Sequence, residues 1–384
     1  KDTLRQLLKN HEPRRIWRTV VAYALFREKL PPVEDWEERV AWVEGHPQEI
    51  AHWLDEKDRE LQERNTWAIV LFDALDRAAD RWEDMYALIR GVLQVALELG
   101  ATRRIRLKAF LRPDQMDKSR VATFPDASKV LAASLSLNWP RPDLYGLLWQ
   151  YLANTEGAEG LRALAEIALE ICWEQVSLNG STIWRWPRKF RDDEERHRRL
   201  FHMLTGKWMG RDPKRGFPYS WLPGHLADAH GRASPRSFLA ALRTAAEDTR
   251  DRYPEHEYTL HYESIKRGVQ RASELRVWEM GEDYPWVNVL MQPLRGMLVP
   301  CEFEAIRERW EQERVLEKLQ DLSGEVKLPP VHLKEGYPGL RQDLEDLGVF
   351  LRMLDGRVNV PDVFRVGYGL GRKGGVKPLQ TQEK

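Results

Sequence analysis

The sequence predicts an α/β fold in which a small parallel sheet is set into a mostly helical chain that closes with a helix and a hairpin. Three observations carry this. Six consecutive apolar residues, Trp67 to Phe72, end abruptly at Asp73. One helix later, Arg104 to Leu111 alternates charged and apolar residues. Nearly everywhere else apolar residues recur at spacings of three and four, until two short β-rich runs meet across Asp355-Gly356. A short apolar run bounded by polar residues reads as a parallel strand buried on both faces, and period-two alternation reads as a second strand.

In chain order, residues 1–30 read as helical, with Ile16, Trp17, Val20, Val21, Ala24 and Leu25 on one face and Pro31-Pro32 as the stop. Trp36 to Leu61 continues as amphipathic helix among many acids. The first strand follows, then a helix from about Trp82 to Leu99 closed by Gly100. The second strand ends at Arg112-Pro113-Asp114. Two strands separated by one helix form a crossover unit, so their carboxyl ends share one edge of the sheet.

That edge is where open α/β folds bind ligands. Asp73 would stand there, as does the Asp with which P-loop nucleoside triphosphatases hold Mg²⁺ through water. Asp76, one short turn on, is placed to orient an attacking water, and Arg112 would emerge beside them to sense or neutralise a terminal phosphate. The ordinary alternatives are a strand-to-loop junction that happens to end in Asp and a surface Arg at a strand end.

From Leu131 onward the pattern is almost wholly helical: Asp143 to Ala153, Leu161 to Val176 and Leu200 to Trp208, then a Pro- and Gly-rich loop, Gly210 to Pro218. Trp184 to Phe190 interleaves cations with aromatics in the manner of single-strand nucleic-acid binders, but four acids follow at once, which favours an internal contact. At Ser234-Pro235-Arg236, Ser is a good N-cap and Pro suits the first helical position. Arg236 in a first turn opposes the helix dipole, so something negative belongs beside it: a phosphate, or an Asp or Glu of a neighbouring helix.

Helices from about Tyr258 to Met280 and Cys301 to Leu322 lead to the tail. There Gly339 to Leu347 reads as a helix, and Val349–Met353 with Val358–Pro361 as a hairpin. A helix followed by a hairpin is the arrangement of a winged helix, and Arg365, Arg372, Lys373 and Lys377 lie at or beyond its end. Winged helices bind DNA or serve as packing modules. Asp343, Glu345 and Asp346 on the helix favour packing.

Composition bounds the rest. At 384 residues, two or three domains are expected. Sixty basic residues balance sixty acidic ones, so any pull toward nucleic acid is local. Two cysteines, Cys172 and Cys301, have no metal-ligand spacing, and no apolar run reaches membrane-spanning length. A cytoplasmic protein with no membrane partner is expected. The sixteen Trp are scattered at helical positions and read as core packing.

Taken in order, Leu71-Phe72-Asp73-Ala74-Leu75-Asp76-Arg77, Phe110-Leu111-Arg112-Pro113-Asp114, Phe124 to Lys129, Trp139 to Trp149 and Ser234 to Leu239 resemble bacterial P-loop ATPases of the AAA+-like or STAND type, associated with defence and signalling. The resemblance covers most of the chain. It implies a partial P-loop core over 1–137, a helical lid over 138–255, a helical connector over 256–325 and a winged-helix domain over 326–384. It further implies ATP and Mg²⁺ as ligands, with Asp73 helping to hold Mg²⁺, Asp76 as the catalytic acid position, and Arg112 and Arg236 on phosphate. Self-association, an effector protein or DNA at the winged helix would be the partners. The pattern departs from the family in one respect: no Gly-x-x-x-x-Gly-Lys-[Ser/Thr] occurs anywhere, and Thr205-Gly206-Lys207-Trp208 keeps only the Gly-Lys pair. The start at Lys1, without Met, favours a phosphate loop upstream; the other reading is a nucleotide fold degenerated to a DNA-binding regulator or an adaptor.

Overall fold

Alternate side chains of a strand face opposite ways, and this places the first core. The computed structural model describes residues 2–322 and 327–378. In it Ala68–Phe72 (β1) pairs in parallel with Ile105–Ala109 (β2), in register from Ala68 opposite Ile105 to Phe72 opposite Ala109. The intervening helix, Trp82–Leu99, buries Met85, Leu88, Ile89, Val92 and Val95, which pack with Val70 and Phe72 of β1 and with Trp17. The other face of β1 is not buried as its composition predicts: Ile69 is 56% and Leu71 63% exposed, because among the described residues this sheet has two strands and no second layer over that face.

The chain divides into two compact units. Lys1–Ser136 with Ser323–Val331 form the first, and Leu137–Leu322 with His332–Lys384 the second. Within the first, the helix expected over Trp36–Leu61 is two helices, Trp36–Gly45 and Pro47–Glu63. Pro47 lacks an N–H and biases His46 away from helical geometry, so the break falls there. Leu328 returns to this core, its N–H bonded to the Asp80 carbonyl at 2.7 Å.

The second unit is a helical body built on Tyr145, Trp149, Phe201, Leu222, Phe238, Ile265 and Val269. Its long helices Pro235–Arg252 and Tyr262–Asp283 meet at Gly268, where a Cβ would lie 2.2 Å from the Ala241 carbonyl oxygen. The chain beyond Leu131 is less helical than its pattern predicts. The helix expected to Val176 is Glu159–Leu169, ended by Glu170 in the left-handed region, and an antiparallel hairpin follows: Glu174–Leu178 (β3) with Ser181–Arg185 (β4). Asn179 and Gly180, at φ 50° and 81°, form its two-residue turn. The helix expected over Cys301–Leu322 is two, Phe303–Gln312 and Val315–Leu322, parted at Arg314 with φ 51°.

At the C-terminal end the helix Tyr337–Asp346 is followed by the short hairpin Leu351–Arg352 (β5) and Val358–Asn359 (β6), turning across Gly356. A further helix, Asp362–Gly367, then packs on Tyr262–Asp283. The boundary expected at 325/326 falls on residues 323–326, outside the described residues. No helix among the described residues is long and apolar enough to cross a membrane.

Candidate functional site

Parallel pairing brings the carboxyl ends of β1 and β2 to one edge, and three of the four sequence-predicted site residues follow those ends directly. Asp73 is exposed, one residue beyond β1, and its Oδ1 accepts the Ala74 N–H at 2.8 Å. Ala74 adopts φ 56°, a left-handed conformation costly for a residue with a Cβ, and the chain then tightens into the turn Leu75–Arg77, anchored by buried Leu75. The turn carries Asp76. From β2, Arg112 leads into the turn Pro113–Gln115.

Arg112 faces Asp76. Its Nη1 is 3.9 Å from Asp76 Oδ2 and its Nη2 3.5 Å from Asp114 Oδ2. The Arg112 backbone is held by Gln115, which is buried, accepts the Arg112 N–H on Oε1 at 2.9 Å, and approaches Met85 Sδ with its amide at 3.8 Å. The edge therefore presents one exposed carboxylate, two partly covered ones and a guanidinium that carries charge to both. Asp114 and Gln115 were not singled out as site residues by the sequence. Asp114 had a signal in the Arg-Pro-Asp turn, whereas nothing marks Gln115 as buried.

Arg236 lies in the second unit. Ser234 stands at the N-cap with extended backbone but without a side-chain cap bond, and Pro235 opens the helix. The negative partner of Arg236 is Glu279 of the Tyr262–Asp283 helix, at 2.6 Å, and the Arg side chain is 80% exposed. That bond and the Glu279 charge hold the guanidinium more firmly protonated.

His332, Asp343 and Asp346 form a second polar cluster close enough to share an ion. Its atoms are already engaged. Asp343 accepts the His332 N–H at 3.1 Å and meets its Nδ1 at 2.7 Å, while Asp346 accepts from Gln342 at 2.8 Å. Burial pushes the Asp343 carboxyl up against the opposing pull of His332. For His332, burial acts downward, and the hydrogen bond and charge of Asp343 outweigh it and raise the imidazole. The cluster ties the 332 loop onto the Tyr337–Asp346 helix.

Comparison with protein-family models, with curated proteins and with solved structures finds no match to this chain.

Proposed function

We propose that this chain is the nucleotide-reading part of an ATP-driven switch of a bacterial defence or signalling system. One observation supports the reading above the others: the in-register parallel pair that aligns Asp73, Asp76 and Arg112 along a single carboxyl edge.

The donor chemistry fits a hydrated Mg²⁺. Asp73 is an exposed hard-oxygen ligand with one oxygen held by the Ala74 N–H, which leaves the other for a metal-bound water. Bound Mg²⁺ would supply charge neutralisation across the β- and γ-phosphate oxygens. Asp76, on its tight turn, would orient the attacking water and accept its proton. Arg112, drawn between two carboxylates, would turn toward charge on the terminal phosphate. The cradle for the phosphates is not among these residues, since the sequence holds no Gly-rich loop of that type. Arg236 would contact phosphate from the helical lid, exchanging its bond to Glu279 for the ligand, and the C-terminal helix and hairpin would transmit or restrain the lid's motion.

The test is phosphate release from ATP by the intact gene product, with Mg²⁺ and with the metal chelated. Mg²⁺-dependent release that Asp73→Ala abolishes is expected. Neither release nor ATP binding under either condition would refute the assignment.

A further inference from the structure

The second unit holds an open groove of about 510 Å³ between the Pro218–Leu226 helix and the chain following the Asp362–Gly367 helix. One wall is aromatic: Phe217 is exposed, and Trp221 is stacked on His225 with ring centroids 3.8 Å apart. The opposite wall is the turn Arg372-Lys373-Gly374-Gly375, whose two glycines sit at φ 81° and 78° and leave the backbone bare.

The groove is electropositive although the chain as a whole carries no net charge. Its one lining carboxylate, Asp362, is already countered by Arg365 Nε at 2.7 Å and Arg372 Nη1 at 3.5 Å, with His225 Nε2 at 3.3 Å. Lys373 adds a further cation. Arg211, Lys214 and Arg215, with the single carboxylate Asp212 among them, precede Phe217 on its own loop, and Lys377 follows the glycine turn. None of these five pairs with a carboxylate among the described residues, whereas many exposed cations of this unit pair along their helices, as in Arg243–Glu247 and Arg271–Glu274.

We propose that this groove binds single-stranded nucleic acid. A base stacks on the Phe217 and Trp221 wall while the flanking phosphates meet Arg372 and Lys373 on one side and the Lys214 loop on the other. Cations without a carboxylate partner among the described residues, beside the exposed Phe217 ring and the partly exposed Trp221 ring, are the arrangement that holds a strand through its backbone and its base faces together. A duplex hides those faces, so the aromatic wall would have nothing to stack on. A free nucleotide would leave the outer cations without phosphates. The proposal goes beyond the ATP reading and does not depend on it.

Fluorescence anisotropy on the intact protein with a labelled mixed-sequence single strand of about 15 nucleotides tests it. Binding that weakens with salt is expected, and Lys373→Glu and Lys214→Glu should each cost about tenfold and flatten the salt slope by about 0.7 for every phosphate left without its cation. Phe217→Ala should cost at least about fivefold with the slope unchanged. Absence of binding at low salt would overturn the proposal. So would equal weakening by Lys9→Glu in the first unit, tighter binding of a duplex of the same length, or displacement by free ATP as effective per nucleotide as by unlabelled strand.

Discussion

Arg112 stands 3.9 Å from Asp76 across the edge where β1 and β2 end, and 3.5 Å from Asp114 on its other side. The charges of both carboxylates act on the guanidinium, while Gln115 fixes the backbone beneath it. A phosphate arriving at this edge would compete with both carboxylates for that guanidinium.

Replacing Asp76 by Asn keeps the shape of the turn and removes the carboxylate. Turnover should fall by at least about a hundredfold, the contribution of a positioned general base, with nucleotide binding nearly intact. Phosphate release and equilibrium ATP binding, measured on the same preparation, separate the two effects; unchanged turnover would remove Asp76 from the site.

Arg112→Lys retains the charge but not the planar fork, and the shorter reach of a point charge cannot serve a phosphate in two directions. It should lower turnover by about tenfold or more and leave the melting temperature unchanged, because the ion pairs it loosens are partly solvated. A variant with native turnover would mean that Arg112 has a structural role alone.

Arg236→Ala distinguishes a phosphate contact from a surface ion pair. Its bond to Glu279 is largely exposed, so removing the pair should change stability by less than about 1 kcal/mol. If Arg236 reads nucleotide, turnover or nucleotide affinity drops despite that small structural effect. A fall in stability without a change in either would assign it to the Glu279 pair alone.

The elements at this edge were legible because each had a recognisable pattern: an unbroken apolar run ended by Asp73, alternation from Arg104 to Ala109 ahead of Arg112, and an apolar helix between them. The exposure of Ile69 and Leu71 was not, since an all-apolar strand has the same composition whether or not a layer covers its second face. The β3–β4 hairpin carried an Asn179-Gly180 turn signal. The helical spacing of Leu161, Leu164, Ala168 and Leu169 ran into it and masked the change of period at Glu170. The pairing of Arg236 with Glu279 and the placing of Phe217 and Lys373 on one groove bring together residues far apart in the chain, and no local pattern reports such relationships. That the cations near Phe217 have no carboxylate partner among the described residues likewise emerges only once the carboxylates have positions.

His197 sets a pH dependence of stability. It is fully buried, its Nδ1 accepts the Trp149 indole N–H at 2.9 Å, and its Nε2–H donates to the Arg191 carbonyl at 2.9 Å, which defines a neutral tautomer. Burial pushes its pKa below the usual value, against the opposing Arg191 bond and the Asp193 charge. The folded state therefore binds fewer protons than the unfolded chain. Stability is fully present above the ordinary histidine pKa of about 6.5 and is lost as pH falls through the lowered folded value. His197→Gln should cost about 1–3 kcal/mol at neutral pH and shrink the loss on acidification. Urea unfolding of both proteins at about pH 7.5 and pH 5 measures it; equal losses on acidification would contradict the assignment.

Two glycines on helices of the second unit should respond in opposite directions to the same methyl group. Gly268 lies where the Pro235–Arg252 and Tyr262–Asp283 helices press together, and a Cβ there would meet the Ala241 carbonyl oxygen at 2.2 Å, its carbon at 3.0 Å and its Cα at 3.3 Å. All three are backbone, so no side chain can rotate away and the helices must separate. The neighbouring side chains Phe238, Ala241, Ile265 and Val269 are buried, and that separation would disturb their packing. Gly268→Ala should therefore cost about 1–3 kcal/mol, the range for overpacking a close contact, even though Ala is the better helix former. Gly146, inside the Arg141–Leu152 helix, has nothing within 4 Å of a built Cβ. Its replacement by Ala meets no obstacle and restricts the unfolded chain, so Gly146→Ala should stabilise by about 0.5–1 kcal/mol. Chemical denaturation of both variants against the parent reads the pair. A stabilised Gly268→Ala protein would show that the two helices do not meet at this spacing in solution.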